Sequence, residues 1–301
     1  MGFLFTLIAV TMWASFPIAV QQVLTDMDPQ TIAWYRFAVA TLVIFILLIK
    51  KNKLPRLTQL KGKILLFLCI ATLGLGLNFF FYHLALRYIP PVTSQILSPL
   101  SSFMMLLAGV VLFKERLSSY QKTGLLCLVI GLAIFFNDKL ENFLTFDLYF
   151  QGILLAICAS ALWVTYAISQ KLLQHKLEAQ QTLLIIYLGC TLFFTPVADI
   201  GQIRALNNVQ LGYLFFCCIN TLLAYGCYAE ALNRWEVSKV SALITQIPVF
   251  TILFANGLFY LFPNHFADQQ VNGLSYVGAA IVILGSLTSA VGHKLFSKGA
   301  K

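Results

Sequence analysis

Ten stretches of mainly apolar residues follow one another along the chain with short polar breaks between them. They run near 2–22, 31–49, 64–86, 91–113, 120–137, 148–171, 181–200, 209–232, 237–261 and 273–293. Each is close to the roughly 20 residues that an α-helix needs to cross about 30 Å of hydrocarbon. A bilayer core offers backbone groups no water, so each run must close its hydrogen bonds within itself as a helix. The loops are too short for a soluble domain on either side. The pattern predicts an all-α membrane protein with ten transmembrane helices.

The runs also repeat. Gly2, Leu4, Ala9, Trp13 and Ile18 reappear 150 positions later as Gly152, Leu154, Ala159, Trp163 and Ile168. Tyr82, Ala85 and Leu86 find counterparts in Tyr228, Ala231 and Leu232, and Gly124 with Gly131 finds Gly278 with Gly285. Ordered matches in both halves indicate an internal duplication, here divided as 1–147 and 148–301. Five spans is an odd number, so the second copy lies upside down. Two inverted five-helix repeats are an architecture of secondary transporters.

Composition agrees with a membrane location. The chain has 301 residues, of which 59% are hydrophobic and 10% charged, with 26 Phe, too little polar material to cover a soluble globule. The net charge of +9 is explained by topology. With the N-terminus in the cytoplasm, Lys50, Lys51, Lys53, Arg56, Lys61, Lys63, Lys114, Arg116, Lys122, Lys171, Lys176, Arg234, Lys239, Lys294, Lys298 and Lys301 all fall inside, sixteen of the twenty basic residues. Only Arg87, Lys139 and Arg204 fall outside, and Asp26, Asp28 and Asp268 stand in outer loops with no Lys or Arg. Both termini are therefore expected in the cytoplasm of a bacterium, at the inner membrane. No basic face interleaved with aromatic residues is present, which argues against nucleic acid.

The first run lacks a basic leader and an Ala-x-Ala site, so it reads as a retained span. Met1-Gly2-Phe3-Leu4-Phe5-Thr6 fits a myristoylation pattern, but Gly2 opens a membrane helix. The seven cysteines lie in apolar runs, where they act as small hydrophobes; no disulfide, metal site or cofactor is expected.

Candidate chemistry centres on spans 4 and 9. A proline inside a helix removes one hydrogen bond and exposes the carbonyl four residues back, so Pro99 is expected to free Gln95 and Pro248 to free Ile244. Interrupted helices in corresponding spans supply ligand groups in inverted-repeat transporters; a kink repaired by neighbouring serines is the other reading. Gln95, Ser98 and Ser102 form one stripe, Ser241 and Thr245 share a face, and Gln246 is adjacent. Ser15 in span 1, Asn78 and Tyr82 in span 3, and Asn220, Thr221, Tyr225 and Tyr228 in span 8 add polar groups. Trp13 and Trp163, related by the repeat, with Thr165 and Tyr166 nearby, offer ring faces to a cation or an aromatic group, against a simple packing role.

Charge within a bilayer is costly and usually functional. Arg36 in span 2 has two roles open to it: snorkelling outward, or pairing with a carboxylate or substrate. His83 is either a hydrogen-bonded histidine or a proton relay. Glu230 is a candidate proton carrier, with Arg234 four residues on as a partner for an ion pair. The glycine pairs, seven apart on one face of spans 5 and 10, point to close helix packing.

Trp13-Ala-Ser-Phe-Pro17, Arg36-Phe37 with Ala40, Ala85-Leu86-Arg87-Tyr88, and Glu115 before Gln121 and Gly124 together resemble the EamA-type proteins of the drug/metabolite transporter superfamily. Ala231-Leu232-Asn233-Arg234 and Ile247-Pro248-Val249-Phe250 extend the resemblance to the second half. Two departures are visible: Pro99 lies about a helical turn earlier than the position matching Pro248, and nothing in the second half replaces Glu115. The resemblance implies ten helices in two inverted repeats, a central cavity reached alternately from each side, and transport of metabolites, often amino acids or organic cations, commonly outward.

No Gly-x-x-x-x-Gly-Lys-[Ser/Thr] loop is present to couple transport to ATP. Polyanionic substrates would want several cationic groups, and only Arg36 is available. The expected function is secondary transport of a small neutral or zwitterionic metabolite such as an amino acid. The alternative is an organic cation or quaternary ammonium compound. Expected partners are that small molecule, a coupling proton or ion, and the bilayer, with the protein a monomer or homodimer. A membrane-embedded enzyme would need convergent carboxylates or histidines. Here His83, His175, His265 and His293 are scattered.

Overall fold

The structure, a computed structural model, describes residues 1–55, 60–114, 116–173 and 176–296. Arg56, Glu115, His175, Lys298 and Lys301 fall outside them, as do the side chains of Asn233, His293 and Lys294. The described residues form α1 (Gly2–Val23), α2 (Pro29–Lys50), α3 (Lys63–Ala85), α4 (Pro91–Leu97), α5 (Pro99–Phe113), α6 (Ser119–Phe135), α7 (Leu140–Thr145), α8 (Leu148–Leu173), α9 (Ala179–Phe194), α10 (Asn208–Arg234), α11 (Val237–Ile244), α12 (Ile247–Leu261) and α13 (Gly273–Phe296). A 3₁₀ turn, Ile200–Arg204, follows α9.

Among these residues eight segments are long and apolar enough to cross a membrane, counting Pro91–Val111 and Lys239–Leu261 as one segment each. Two shorter apolar helices, Ser119–Phe135 and Ala179–Phe194, complete the ten. The seventh run therefore ends its helix earlier than its hydropathy suggests, since Pro196 cannot continue one.

Spans 4 and 9 are each two helices in succession. The first is 7 residues followed by 15, the second 8 followed by 15. Pro99 and Pro248 both sit in the first turn of the second piece, where the fixed φ of proline suits a helix start and the carbonyl four residues back is left to other donors. The mismatch between the two prolines in sequence is thus absorbed: each break lies a similar distance from the start of its span.

The chain forms two compact units. One comprises Met1–Ile18, Tyr88–Leu154 and Leu223–Lys301, the other Ala19–Arg87 and Leu155–Leu222. Each takes helices from both sequence halves.

In the first unit α6 and α13 pack antiparallel. A Cβ on Gly124 would stand 2.6 Å from the Gly285 carbonyl, and one on Gly285 would stand 2.9 Å from the Gly124 carbonyl. Gly131 and Gly278 make the same reciprocal approach, at 2.9 and 2.6 Å. Gly124 corresponds to Gly278 in the repeat and Gly131 to Gly285, so each glycine meets the counterpart of its neighbour. That reciprocity defines a two-fold contact, the signature of an inverted duplication. At one end Asn137 and Asn272 exchange amide hydrogen bonds at 3.3 and 3.1 Å.

In the second unit α2 packs antiparallel on α9. Asp28, before α2, accepts from Gln202 Nε2 beyond the end of α9 at 2.8 Å. Glu178, before α9, accepts from Lys53 Nζ beyond the end of α2 at 3.0 Å. Phe37 fills the centre, its ring 4.6 Å from Phe79, 5.7 Å from Tyr187 and 6.3 Å from Phe194. Gly74 lets α3 approach the α8 backbone, since a Cβ there would lie 3.0 Å from Tyr166 N.

Candidate functional site

In the first unit the candidate residues converge on α1. The Trp13 ring lies 5.3 Å from that of Tyr225, nearly perpendicular at 78°, and 5.6 Å from Tyr228 at 57°. Tyr225 and Tyr228 are three apart on α10, so one helical face presents both. Gln95 of α4 is buried, and its Nε2 donates to the Trp13 carbonyl at 3.4 Å. From α12, Thr251 Oγ1 donates to the Ala14 carbonyl at 2.9 Å. Both interrupted spans therefore reach the same stretch of α1.

The breaks themselves are partly repaired from within. Ser98 donates both its amide, at 3.2 Å, and its hydroxyl, at 2.8 Å, to the Gln95 carbonyl that Pro99 cannot serve. At the other break Thr245 Oγ1 donates to Ala242 O at 2.8 Å and Gln246 Nε2 to Thr245 Oγ1 at 3.3 Å. Ser15 turns back on its own helix, to Thr11 O at 2.7 Å. Glu230 forms an ion pair with Arg234 at i,i+4, which is the partner expected for it.

In the second unit a polar cluster is buried among apolar helices. Arg36 is 4% exposed and His83 0%. Arg36 Nη1 lies 2.8 Å from His83 Nε2, and its Nε and Nη2 reach Thr221 Oγ1 at 3.2 and 3.0 Å. A guanidinium only donates, so His83 Nε2 is the acceptor and the ring's hydrogen sits on Nδ1, which faces the Pro29 carbonyl at 3.3 Å. Phe79 lies under the guanidinium at 4.3 Å. Thr221, His83 and a ring face thus hold Arg36 inside.

The remaining candidates are spread through that unit. Asn78 Nδ2 donates to the Ala159 carbonyl at 2.7 Å, tying α3 to α8. Tyr166 is buried in the core cluster and Trp163 borders it. Thr165 is exposed and bonds its own helix at Ala161 O, 3.1 Å away, so it joins no other candidate. Asn220 is buried beside Thr221, and the Tyr82 ring lies 6.4 Å from His83. Sequence reasoning missed Thr251, whose only signal is its place three residues after Pro248.

The loop at the start of α2 is acidic and well bonded. Gln202 above all, with Arg87 Nη2 at 3.0 Å, holds the Asp28 carboxyl below the usual carboxylate range. Hydrogen bonds from Gln210 and Thr25 do the same for Asp26.

An internally duplicated bundle of this kind matches the EamA-like transporter family twice, over residues 1–137 and 150–291. The chain belongs to the EamA-like transporter family. It is 46% identical over 295 residues to a protein of Haemophilus influenzae named "Uncharacterized transporter", covering 98% of this chain and 96% of that one. It is 39% identical over 297 residues to the "Uncharacterized inner membrane transporter YhbE" of Escherichia coli K12, covering 98% and 92%. A "Probable amino-acid metabolite efflux pump" of Salmonella typhimurium is 24% identical over 309 residues, covering 98% and 96%. A solved crystal structure shares the fold at a TM-score of 0.62 and 16% identity, covering 96% of this chain and 97% of that one. The protein is a multi-pass membrane transporter of the EamA type.

Proposed function

We propose that this EamA-type transporter is a secondary carrier that exports small neutral or zwitterionic solutes, amino acids foremost, from the bacterial cytoplasm by alternating access. In this reading both termini are cytoplasmic, and the halves 1–147 and 148–301 exchange roles between the two states. The observation that carries it is the corner made by Trp13, Tyr225 and Tyr228, with Gln95 donated from an interrupted span. Ring faces attract an ammonium group, and broken spans supply polar groups for the rest of the solute. The Salmonella relative's name supports amino acids as the class.

The same rings favour a second reading, an organic cation such as a quaternary ammonium compound. Proteoliposomes preloaded with one labelled amino acid or with labelled tetraethylammonium separate the two. Counterflow with an amino acid, lost in Trp13→Ala, is the expected result. Counterflow with tetraethylammonium alone would transfer the assignment to cations. Flux that never saturates and shows no counterflow would instead indicate a channel.

A further inference from the structure

The α1 helix carries a proline in its interior, Pro17. Proline has no amide hydrogen, so the carbonyl four residues back, that of Trp13, loses its helical donor. The Gln95 amide that stands in is 3.4 Å away, beyond the usual N–H···O range of about 2.7–3.2 Å. The next carbonyl, Ala14 O, is met by Thr251 Oγ1. The backbone oxygen that Pro17 deprives of its amide, met by a side-chain amide at 3.4 Å, thus lies in the residue whose ring meets Tyr225 and Tyr228.

The equivalent position of the second half, Trp163, has no such oxygen. α8 holds Ala167 where α1 has Pro17, so nothing there removes the amide that Trp163 O accepts. Trp13 and Trp163 are equivalent as side chains and different at the backbone.

We propose that the Trp13 carbonyl is the acceptor for the ammonium of the transported solute. The site then requires an N–H and takes protonated primary amines, amino acids among them, over fully alkylated ammonium compounds. This rests on the amino-acid reading above and narrows it. Ring faces attract any cation and do not distinguish the two classes. A carbonyl acceptor does, because a trimethylated nitrogen would cover it without a donor, and an unmade buried hydrogen bond is costly. Gln95 holds the oxygen when no amine is present and yields it when one arrives.

The test uses the full chain in detergent, with thermal-shift and calorimetric binding to the twenty L-amino acids, the N,N,N-trimethyl betaines of leucine and phenylalanine, and tetraethylammonium. Wild type is compared with Pro17→Ala, which returns an amide to Trp13 O, and with Pro17→Gly, which does so without a methyl group should the first variant fail to fold. The expected result is that an amino acid binding the wild type loses about tenfold or more in affinity in the variant, while the betaines bind neither. Equal amino-acid binding by wild type and variant, or betaine binding as tight as that of the parent amino acid, would overturn this inference and leave the amino-acid reading standing. If the wild type binds tetraethylammonium and no amino acid, or none of the probes, both fall together.

Discussion

Thr41 and Thr191, separated by 150 positions, bring their hydroxyl oxygens to 3.4 Å of each other. They occupy equivalent places in α2 and α9, which start after Asp28 and Glu178, so the pseudo-two-fold axis of the second unit passes between them. Thr191 also donates to Tyr187 O at 2.8 Å, which leaves its oxygen able to accept from Thr41. A double-mutant cycle with Thr41→Val and Thr191→Val is expected to give a coupling of roughly 0.5–1 kcal/mol in detergent melts, as for other hydrogen bonds between membrane helices. Strict additivity would show that the contact contributes nothing.

The glycine seam predicts a sharp contrast between sites. Gly278→Ala places a methyl against the Gly131 carbonyl at 2.6 Å with backbone on both sides, and should cost about 1–3 kcal/mol through overpacking. Gly226→Ala meets nothing within 4 Å in the middle of α10 and should gain roughly 0.5–1 kcal/mol from helix propensity. Melting temperatures of the two purified variants, moving in opposite directions, are the check.

The Arg36 cluster predicts an order among substitutions. His83→Gln keeps an oxygen able to accept from the guanidinium, whereas His83→Leu removes it and leaves a buried charge short of an acceptor. The second variant should be less stable than the first by about 1–3 kcal/mol, read as melting temperature or as yield of folded protein from membranes. Equal losses would mean that the Arg36 contact is incidental and that the ring's volume is what matters.

Stability should also fall in acid through Asp28. Its folded pKa lies below the ordinary 3.8, held there first by Gln202 and then by Arg87. The stability it adds is therefore fully present above 3.8 and lost as pH falls through the depressed folded value. Wild type should out-melt Asp28→Asn near neutrality, and the gap should close in strong acid. A gap that stays constant with pH would remove the carboxylate from the account.

How much of this was readable beforehand follows from the range of each signal. Apolar runs and proline chemistry act within a few residues, so the ten spans and the interruption near Pro99 and Pro248 could be located from the chain alone. The glycines could be paired because two copies of a seven-residue spacing stand in one sequence. What escaped depends on which faces meet. Arg36 and His83 are 47 positions apart, and nothing local says that one accepts from the other. Thr251 looks like any threonine in an apolar helix until Ala14 is placed opposite it. The short helix α7 lies in a segment that hydropathy treats only as a connector.

The α6–α13 seam has a mechanical consequence. Four backbone approaches with no side chain between them hold the two helices in a single register, because sliding one along the other would drive a glycine carbonyl into a neighbouring Cβ such as that of Cys127 or Ser289. Packed contacts of this kind are either seated or broken and do not deform gradually. Whatever rearrangement the first unit undergoes, α6 and α13 travel as one bar, and the adjustable joints of that unit are left to the split spans, where Ser98, Thr245 and Gln246 already interrupt the helix.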